Sequence, residues 1–264
     1  MPTPDGMPIW YELQTADLDA ATRFYGPITG WTTTTFPTPG GGMEYRVWTM
    51  AETGVGGLAS PPPGISVPSG WLAYFHVQDV DAKADEVAAA GGAITMPASD
   101  IPGVGRIALV ADPQGVPFYL MRPDPSMPEV ENTSFSEHLP GRAAWNELVT
   151  SDQAAALPFY ARLFGWSSTE AMPMGEMGDY SFIDGPGGVR LGAMMNRAHP
   201  GQPLRWAFYF KVPDADRAAE QVKASGGQVV AGPMDVPGGQ RVVMAIDPQG
   251  AGVGFVSGER ARAR

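Results

Sequence analysis

The sequence predicts an α+β protein of two tandem domains, each a pair of βαβββ modules. Two observations carry this: an internal repeat at a constant spacing of 135 residues, and one order of strand and helix patterns that returns in every module. Trp10, Glu12, Leu13, Thr15 and Asp17 recur as Trp145, Glu147, Leu148, Thr150 and Asp152. Phe24-Tyr25 and Gly30-Trp31 recur as Phe159-Tyr160 and Gly165-Trp166. Trp71, Phe75, Val77 and Asp79 return as Trp206, Phe210, Val212 and Asp214, and Asp112-Pro113-Gln114-Gly115 as Asp247-Pro248-Gln249-Gly250. A period this long marks a duplicated globular domain, because solenoid repeats run only about 20–50 residues.

Within one copy, Trp10–Thr15 reads as a strand and Asp17 as the N-cap of a helix reaching about Tyr25, with Leu18, Ala21, Phe24 and Tyr25 on one apolar stripe. Glycine and proline then punctuate strands near Trp31–Phe36, Tyr45–Met50 and Val55–Ala59. After Pro61-Pro62-Pro63 the order restarts, with a strand over Trp71–Val77, an alanine-rich helix over Asp81–Ala90 and strands near Ile94–Met96, Arg106–Ala111 and Val116–Met121. The second copy follows suit, except that Pro158 falls inside its first helix, where a lost backbone hydrogen bond predicts a bend or a shortening. The non-periodic stretch rich in Pro, Ser and Glu before Arg142 reads as a linker. The predicted domains are 8–124 and 143–257, with 125–142 between them. A cut near residue 130 should leave a folded first half unless the halves share a large apolar interface.

Composition bounds the function. The chain of 264 residues gives each copy enough length for its own core. No apolar run is long enough to span a membrane, and Met1–Gly6 lacks the basic start and apolar stretch of a signal peptide, so a cytoplasmic protein is expected. There is no cysteine, hence no disulfide, thiolate nucleophile or Cys-bound metal. A net charge of −11 argues against nucleic acid or an anionic membrane as partner. The basic tail Glu259–Arg264 reads as a solvated end, and the Gly40-Gly41-Gly42 run as a loop, since no Lys-Ser/Thr and helix follow it.

Paired βαβββ modules, with strand–Asp–helix–Phe-Tyr at the start and Asp-Pro-x-Gly before the last strand, resemble the vicinal oxygen chelate superfamily. That group holds glyoxalase I, extradiol dioxygenases, fosfomycin-resistance enzymes and bleomycin-resistance binding proteins. The likeness covers nearly the whole chain and is closer to bacterial two-domain glyoxalase-like proteins that open each half with Trp-x-Glu-Leu-x-Thr. It implies that each copy forms a cup-shaped eight-stranded sheet with helices outside and a ligand within. It also implies four metal-ligand positions per cup, on the first and fourth strands of each module. By spacing these fall on Trp10, Gly57, Leu72 and Tyr119, and in the second copy on Trp145, Gly192, Ala207 and Gly254. None is a normal ligand for a divalent cation. The chain has three histidines, and His138 and His199 lie in the linker and in a loop, which leaves His76 on a strand. The expectation is that the metal site has been lost and that no cofactor is present.

Strand alternation places Leu13, Phe75 and Val77 toward the helices and Trp10, Glu12, Gln14, Tyr74 and His76 into the cup, joined by Tyr119. In copy two the cup set is Trp145, Glu147, Val149, Tyr209 and Lys211. The candidate ligand-binding residues are therefore Trp10, Glu12, Tyr74, His76, Tyr119, Trp145, Glu147, Tyr209 and Lys211. Glu12 and His76 are the catalytic candidates if any catalysis exists. Two readings of the Glu12–His76 pair stay open, an acid–base couple or an ion pair across neighbouring strands. Lysine at the position matching His76 favours the ion pair. Trp31, Trp71, Trp166 and Trp206 read as core or lid packing ahead of pocket rims, and Arg106 and Arg241 as salt-bridge formers. The leading functional reading is a metal-free protein that binds or sequesters a flat or aromatic, neutral or cationic compound. The alternatives are a glyoxalase-type lyase or isomerase using Glu12 for proton transfer, and a degenerate interaction scaffold. Either a monomer of two fused domains or a homodimer is compatible with the sequence.

Overall fold

A computed structural model describes residues 3–37, 44–61, 68–126 and 132–258. The triple-glycine run, the prolines at 62 and 63, part of the linker and the basic tail lie outside the described residues. Copy one runs β1 (Pro8–Gln14), α1 (Leu18–Thr29), β2 (Thr32–Phe36), β3 (Tyr45–Met50), β4 (Thr53–Ala59), β5 (Gly70–His76), α2 (Val80–Ala89), β6 (Ala93–Ile101), β7 (Gly105–Ala111) and β8 (Pro117–Pro123). Copy two repeats the order as β9 (Ala143–Thr150), α3 (Gln153–Phe164), β10 (Ala171–Pro173), β11 (Asp179–Asp184), β12 (Arg190–Asn196), β13 (Arg205–Lys211), α4 (Ala215–Ala224), β14 (Gln228–Val236), β15 (Gln240–Ile246) and β16 (Gly252–Ser257). Each copy contributes one eight-stranded sheet, ordered β2-β3-β4-β1-β5-β8-β7-β6 and β10-β11-β12-β9-β13-β16-β15-β14.

Among the described residues, all four α-helices start on an aspartate whose carboxylate accepts a backbone N–H of the first turn. Asp17 accepts from Ala20, Asp79 from Ala82, Asp152 from Ala155, and Asp214 from Asp216 and Arg217. The first helix runs one turn past its predicted end, closing on Gly30 in the left-handed conformation with φ 80°. Pro158 does not shorten α3, which has 12 residues like α1 and closes on Gly165 in the same way.

Packing divides the chain into two compact units that do not follow the sequential order of the copies. One comprises Met1–Ile9, Leu72–Asn132 and Trp145–Trp206, the other Trp10–Trp71, Thr133–Ala144 and Ala207–Arg264. Each unit therefore joins the first module of one copy to the second module of the other. In the unit holding β1, Tyr11 meets Phe208 with ring centroids 5.0 Å apart, and Phe210 lies 4.9 Å from Trp31 and 4.8 Å from Trp71. In the unit holding β9, Phe75 lies 5.2 Å from Phe164 and 5.3 Å from Trp166, and Phe118 lies 5.7 Å from Tyr160. The four tryptophans Trp31, Trp71, Trp166 and Trp206 are buried in these cores, so they are packing residues and not rims.

Candidate functional site

The backbone of β1 turns Tyr11 and Leu13 into the core and Trp10, Glu12 and Gln14 to the opposite face, as a period of two requires. On that face the Trp10 indole N–H donates to the Tyr45 hydroxyl at 3.0 Å, and Gln14 Nε2 donates to Glu12 Oε1 at 3.2 Å. Glu12 is buried and stands opposite Gly57 in the β1–β4 register. A Cβ at Gly57 would collide with the Tyr45 hydroxyl and lie 2.9 Å from Trp10 Nε1. The Trp10–Tyr45 pair thus fills the volume that a fourth-strand ligand side chain would need.

The β9–β12 module carries the same pair and extends it. Trp145 Nε1 donates to the Tyr180 hydroxyl at 2.8 Å, and that hydroxyl donates to Glu147 Oε2 at 2.8 Å. Phe182 stands edge-on to Trp145 at 6.0 Å and to Tyr180 at 5.7 Å, and the Arg190 guanidinium lies 4.6 Å from the Phe182 ring centre. Arg190 also pairs with Asp184 and Glu170.

On the second modules, Tyr74 and Tyr119 face each other across β5 and β8. Their rings stack at 4.1 Å and 12°, and both are buried. Copy two has Tyr209 opposite Gly254, and the Tyr209 ring occupies the space of the missing side chain. His76 is buried, its Nδ1 makes no hydrogen bond, and it stands 3.8 Å from Asp5 Oδ1. Burial pulls the imidazole below its ordinary value, against the opposite pull of the Asp5 carboxylate. Lys211 is half-buried, and its backbone pairs with Gly141 and Arg142. Arg106 pairs with Asp81 and Asp100, and Arg241 with Asp216 and Asp235.

Of the eight inherited metal positions, one is corrected by the sheet register. Ala193, and not Gly192, stands opposite Glu147 as Gly57 stands opposite Glu12. One extra residue in the β11–β12 connection shifts β12, and the register breaks between Ile183 and Asp184. Gly192 is instead the counterpart of Gly56. A Cβ at Gly56 would reach within 2.7 Å of the Tyr11 carbonyl, and one at Gly192 would collide with the carbonyl of Asn146. Ala193 is no better a ligand than glycine. Among the described residues, no group of three His, Asp or Glu side chains could hold a metal ion. The residues present do not fit the divalent cation of the fold. Sequence reasoning missed Tyr45 and Tyr180, although they too recur at the 135-residue spacing.

Two eight-stranded sheets of paired βαβββ modules, with aromatic and carboxylate side chains on the faces turned from the core, define a protein of the glyoxalase type. Residues 9–120 and 142–255 both match the model of the Glyoxalase/Bleomycin resistance protein/Dioxygenase superfamily, and the chain belongs to that superfamily. The chain is 37% identical over 248 residues to "Putative glyoxylase CFP32" of Mycobacterium tuberculosis (strain CDC 1551 / Oshkosh), covering 93% of this chain and 92% of that one. It is 32% identical over 266 residues to "Anthracycline biosynthesis protein DauV" of Streptomyces sp. (strain C5), covering 95% and 93%. Among solved structures, the Mn(II)-bound glyoxalase from Novosphingobium aromaticivorans matches with TM-score 0.65 at 15% identity, covering 98% of this chain and 84% of that one. The 2,3-dioxygenase LapB from Pseudomonas sp. KL28 matches with TM-score 0.64 at 16% identity, covering 98% and 94%. At these identities the two structures share the fold. No helix among the described residues is long and apolar enough to cross a membrane.

Proposed function

We propose that this chain is a metal-free small-molecule binding protein of the superfamily, taking up a flat or aromatic, neutral or cationic compound. The observation that supports this most directly is the Tyr45 hydroxyl, held by Trp10 in the volume a ligand side chain at Gly57 would need. The faces that would carry ligating groups instead offer tryptophan and tyrosine rings beside the buried carboxylates of Glu12 and Glu147. Rings supply apolar area and stacking, and a buried carboxylate favours a cation or a hydrogen-bond donor. A relative named for anthracycline biosynthesis provides a context in which a planar aromatic ligand is natural.

A second reading, a glyoxalase-type lyase or isomerase, rests on the Trp145–Tyr180–Glu147 chain. A hydroxyl donating to a buried carboxylate orients that group for proton transfer, and Glu12 is its counterpart in copy one.

Thermal shift with Zn²⁺, Ni²⁺ and Mn²⁺, followed by a screen of planar aromatic compounds, tests the proposal. Metals should leave Tm unchanged, because an ion that bound the native state would raise it. A bound aromatic should be weakened by about 1–3 kcal/mol in Trp10→Ala or Trp145→Ala. Glu12→Gln should change affinity modestly and mainly for cations, whereas an enzyme should lose about 10² or more in rate with little change in binding. About one metal per copy in the purified protein, lost with substitution of Trp10 or Glu12, would overturn the proposal. Unchanged affinity in both Trp variants with no turnover would favour the scaffold.

A further inference from the structure

The face of β1–β4 and the face of β9–β12 keep one set of residues and differ around it. Both carry the Trp–Tyr pair and a buried glutamate, at Trp10, Tyr45 and Glu12 and at Trp145, Tyr180 and Glu147. The sheet register fixes which neighbours correspond. In β1–β4, Gln14 stands opposite Ala59, Phe36 opposite Tyr45, and Val47 opposite Gly57. In β9–β12, Val149 stands opposite Met195, Met172 opposite Tyr180, and Phe182 opposite Ala193. Residues opposite one another share a side of the sheet, so these side chains belong to the two faces. Gln14, Phe36, Met172, Phe182 and Met195 keep part of their surface open, whereas Val149 is covered. Beside Glu12, the Gln14 amide donates to the carboxylate at 3.2 Å. Beside Glu147 the same row holds Val149 and the Met195 thioether, and the carboxylate accepts from the Tyr180 hydroxyl at 2.8 Å. Arg190 covers one side of the Phe182 ring, but Asp184 and Glu170 meet its charge.

We propose that the two faces take different ligands. The β9–β12 face takes a flat aromatic with apolar edges, and the β1–β4 face a flat aromatic that carries an amide-like hydrogen-bonding edge. This rests on the binding function proposed above and names the ligand class of each face. Both glutamates are buried, so the partly open Gln14 and Met195 beside them decide what a ligand edge meets. Methionine is unbranched and polarizable, so Met172 and Met195 mould to a ring and gain sulfur–aromatic contacts. A polar edge laid against them would lose its water and gain no amide partner. An apolar edge laid against Gln14 would instead cover an amide that a polar edge can satisfy. Each face thus rejects the other's ligand through a polar group left unpaired.

Equilibrium dialysis of the full chain against naphthalene and naphthamide, which share a ring system and differ by a carboxamide, tests this. Naphthalene should lose at least about ten-fold in affinity in Trp145→Ala and less than about two-fold in Trp10→Ala, and naphthamide the reverse. Near-isosteric exchange of the deciding residues asks the same question without opening a cavity. Met195→Gln should weaken naphthalene, and Gln14→Met naphthamide, each at least about five-fold. These two variants decide the matter if a Trp variant fails to fold. Equal losses of both probes in each variant, the opposite assignment, or binding of one probe alone overturns the proposal and leaves the binding function standing. Absence of saturable binding of either probe by the native chain overturns the binding function and this proposal with it.

Discussion

The Tyr25 hydroxyl donates to Asp247 Oδ2 at 3.0 Å across 222 residues of chain, and Tyr160 repeats the bond to Asp112 Oδ2 at 3.2 Å. Each tyrosine oxygen also accepts an indole N–H, from Trp71 at 3.0 Å and from Trp206 at 3.2 Å. The other oxygen of Asp247 accepts the backbone N–H groups of Gln249 and Ala251, closing the Asp-Pro-Gln-Gly turn on itself. The Gln249 side chain then exchanges two hydrogen bonds with the Asp17 backbone at the start of α1, and Gln114 reaches the Asp152 backbone likewise. A turn that reads locally as a hairpin connection is therefore the clasp that binds a module of one copy to a module of the other. Burial raises the carboxyls of Asp112 and Asp247 above their ordinary value, while the turn's N–H groups and the tyrosine pull the other way.

Removing the clasp should cost stability without reshaping the core. Tyr25→Phe keeps the ring but strands the Trp71 N–H and one Asp247 oxygen, so a loss of about 1–3 kcal/mol is expected in urea denaturation. Tyr160→Phe should behave alike. A loss well under 0.5 kcal/mol in both would mean that water replaces the hydroxyl.

Separating the copies should prevent either from folding alone. A chain ending near residue 130 lacks Phe208, Phe210 and Asp247, the partners of Tyr11, Trp31 and Tyr25 within one unit. Fragments 1–128 and 129–264 should each lack a cooperative melt, while co-expression of the two should restore it and yield a 1:1 complex by size exclusion. A cooperative melt from the first fragment alone would show that the shared core is dispensable.

His76 should leave a pH signature. Its folded pKa is depressed below the ordinary 6.5 by burial, so its neutral form favours the fold. That contribution is present above pH 6.5 and is lost as pH falls through the folded value. Between about pH 7.5 and 5, the Tm of the native protein should drop relative to that of His76→Gln. Parallel curves, or a relative gain on acidification, contradict the assignment.

The Gly57–Tyr45 relationship should appear as a coupling energy. Gly57→Ala pushes a methyl into the Tyr45 hydroxyl and should cost about 1–3 kcal/mol as overpacking. In a Tyr45→Ala background the space is free, and a double-mutant cycle should return a coupling of about 0.5–3 kcal/mol. Additive losses would indicate that the tyrosine moves aside at no cost.

Much of this was legible in the amino acids. The Asp17 N-cap, the module order and the split of β1 into a Tyr11–Leu13 side and a Trp10–Glu12 side follow from local hydrogen bonding and from a two-residue period. The second helix of copy one, by contrast, starts on Asp79 and not at the expected Asp81. Tyr45 and Tyr180 were passed over because they sit on third strands, where the sequence marks no ligand position, although Trp10 and Trp145 reach them 35 residues away. The one-residue shift of β12 was hidden because the repeat regains its spacing by Trp206.

The duplication and the family were already written in residue identity and spacing. Which module meets which was not. Periodicity marks a face as apolar, but burial of apolar area has no direction and does not name the face on the other side. Ring-to-ring contacts such as Tyr11–Phe208 and the Tyr25–Asp247 bond make that choice, and they exist only once residues far apart in the chain are brought together.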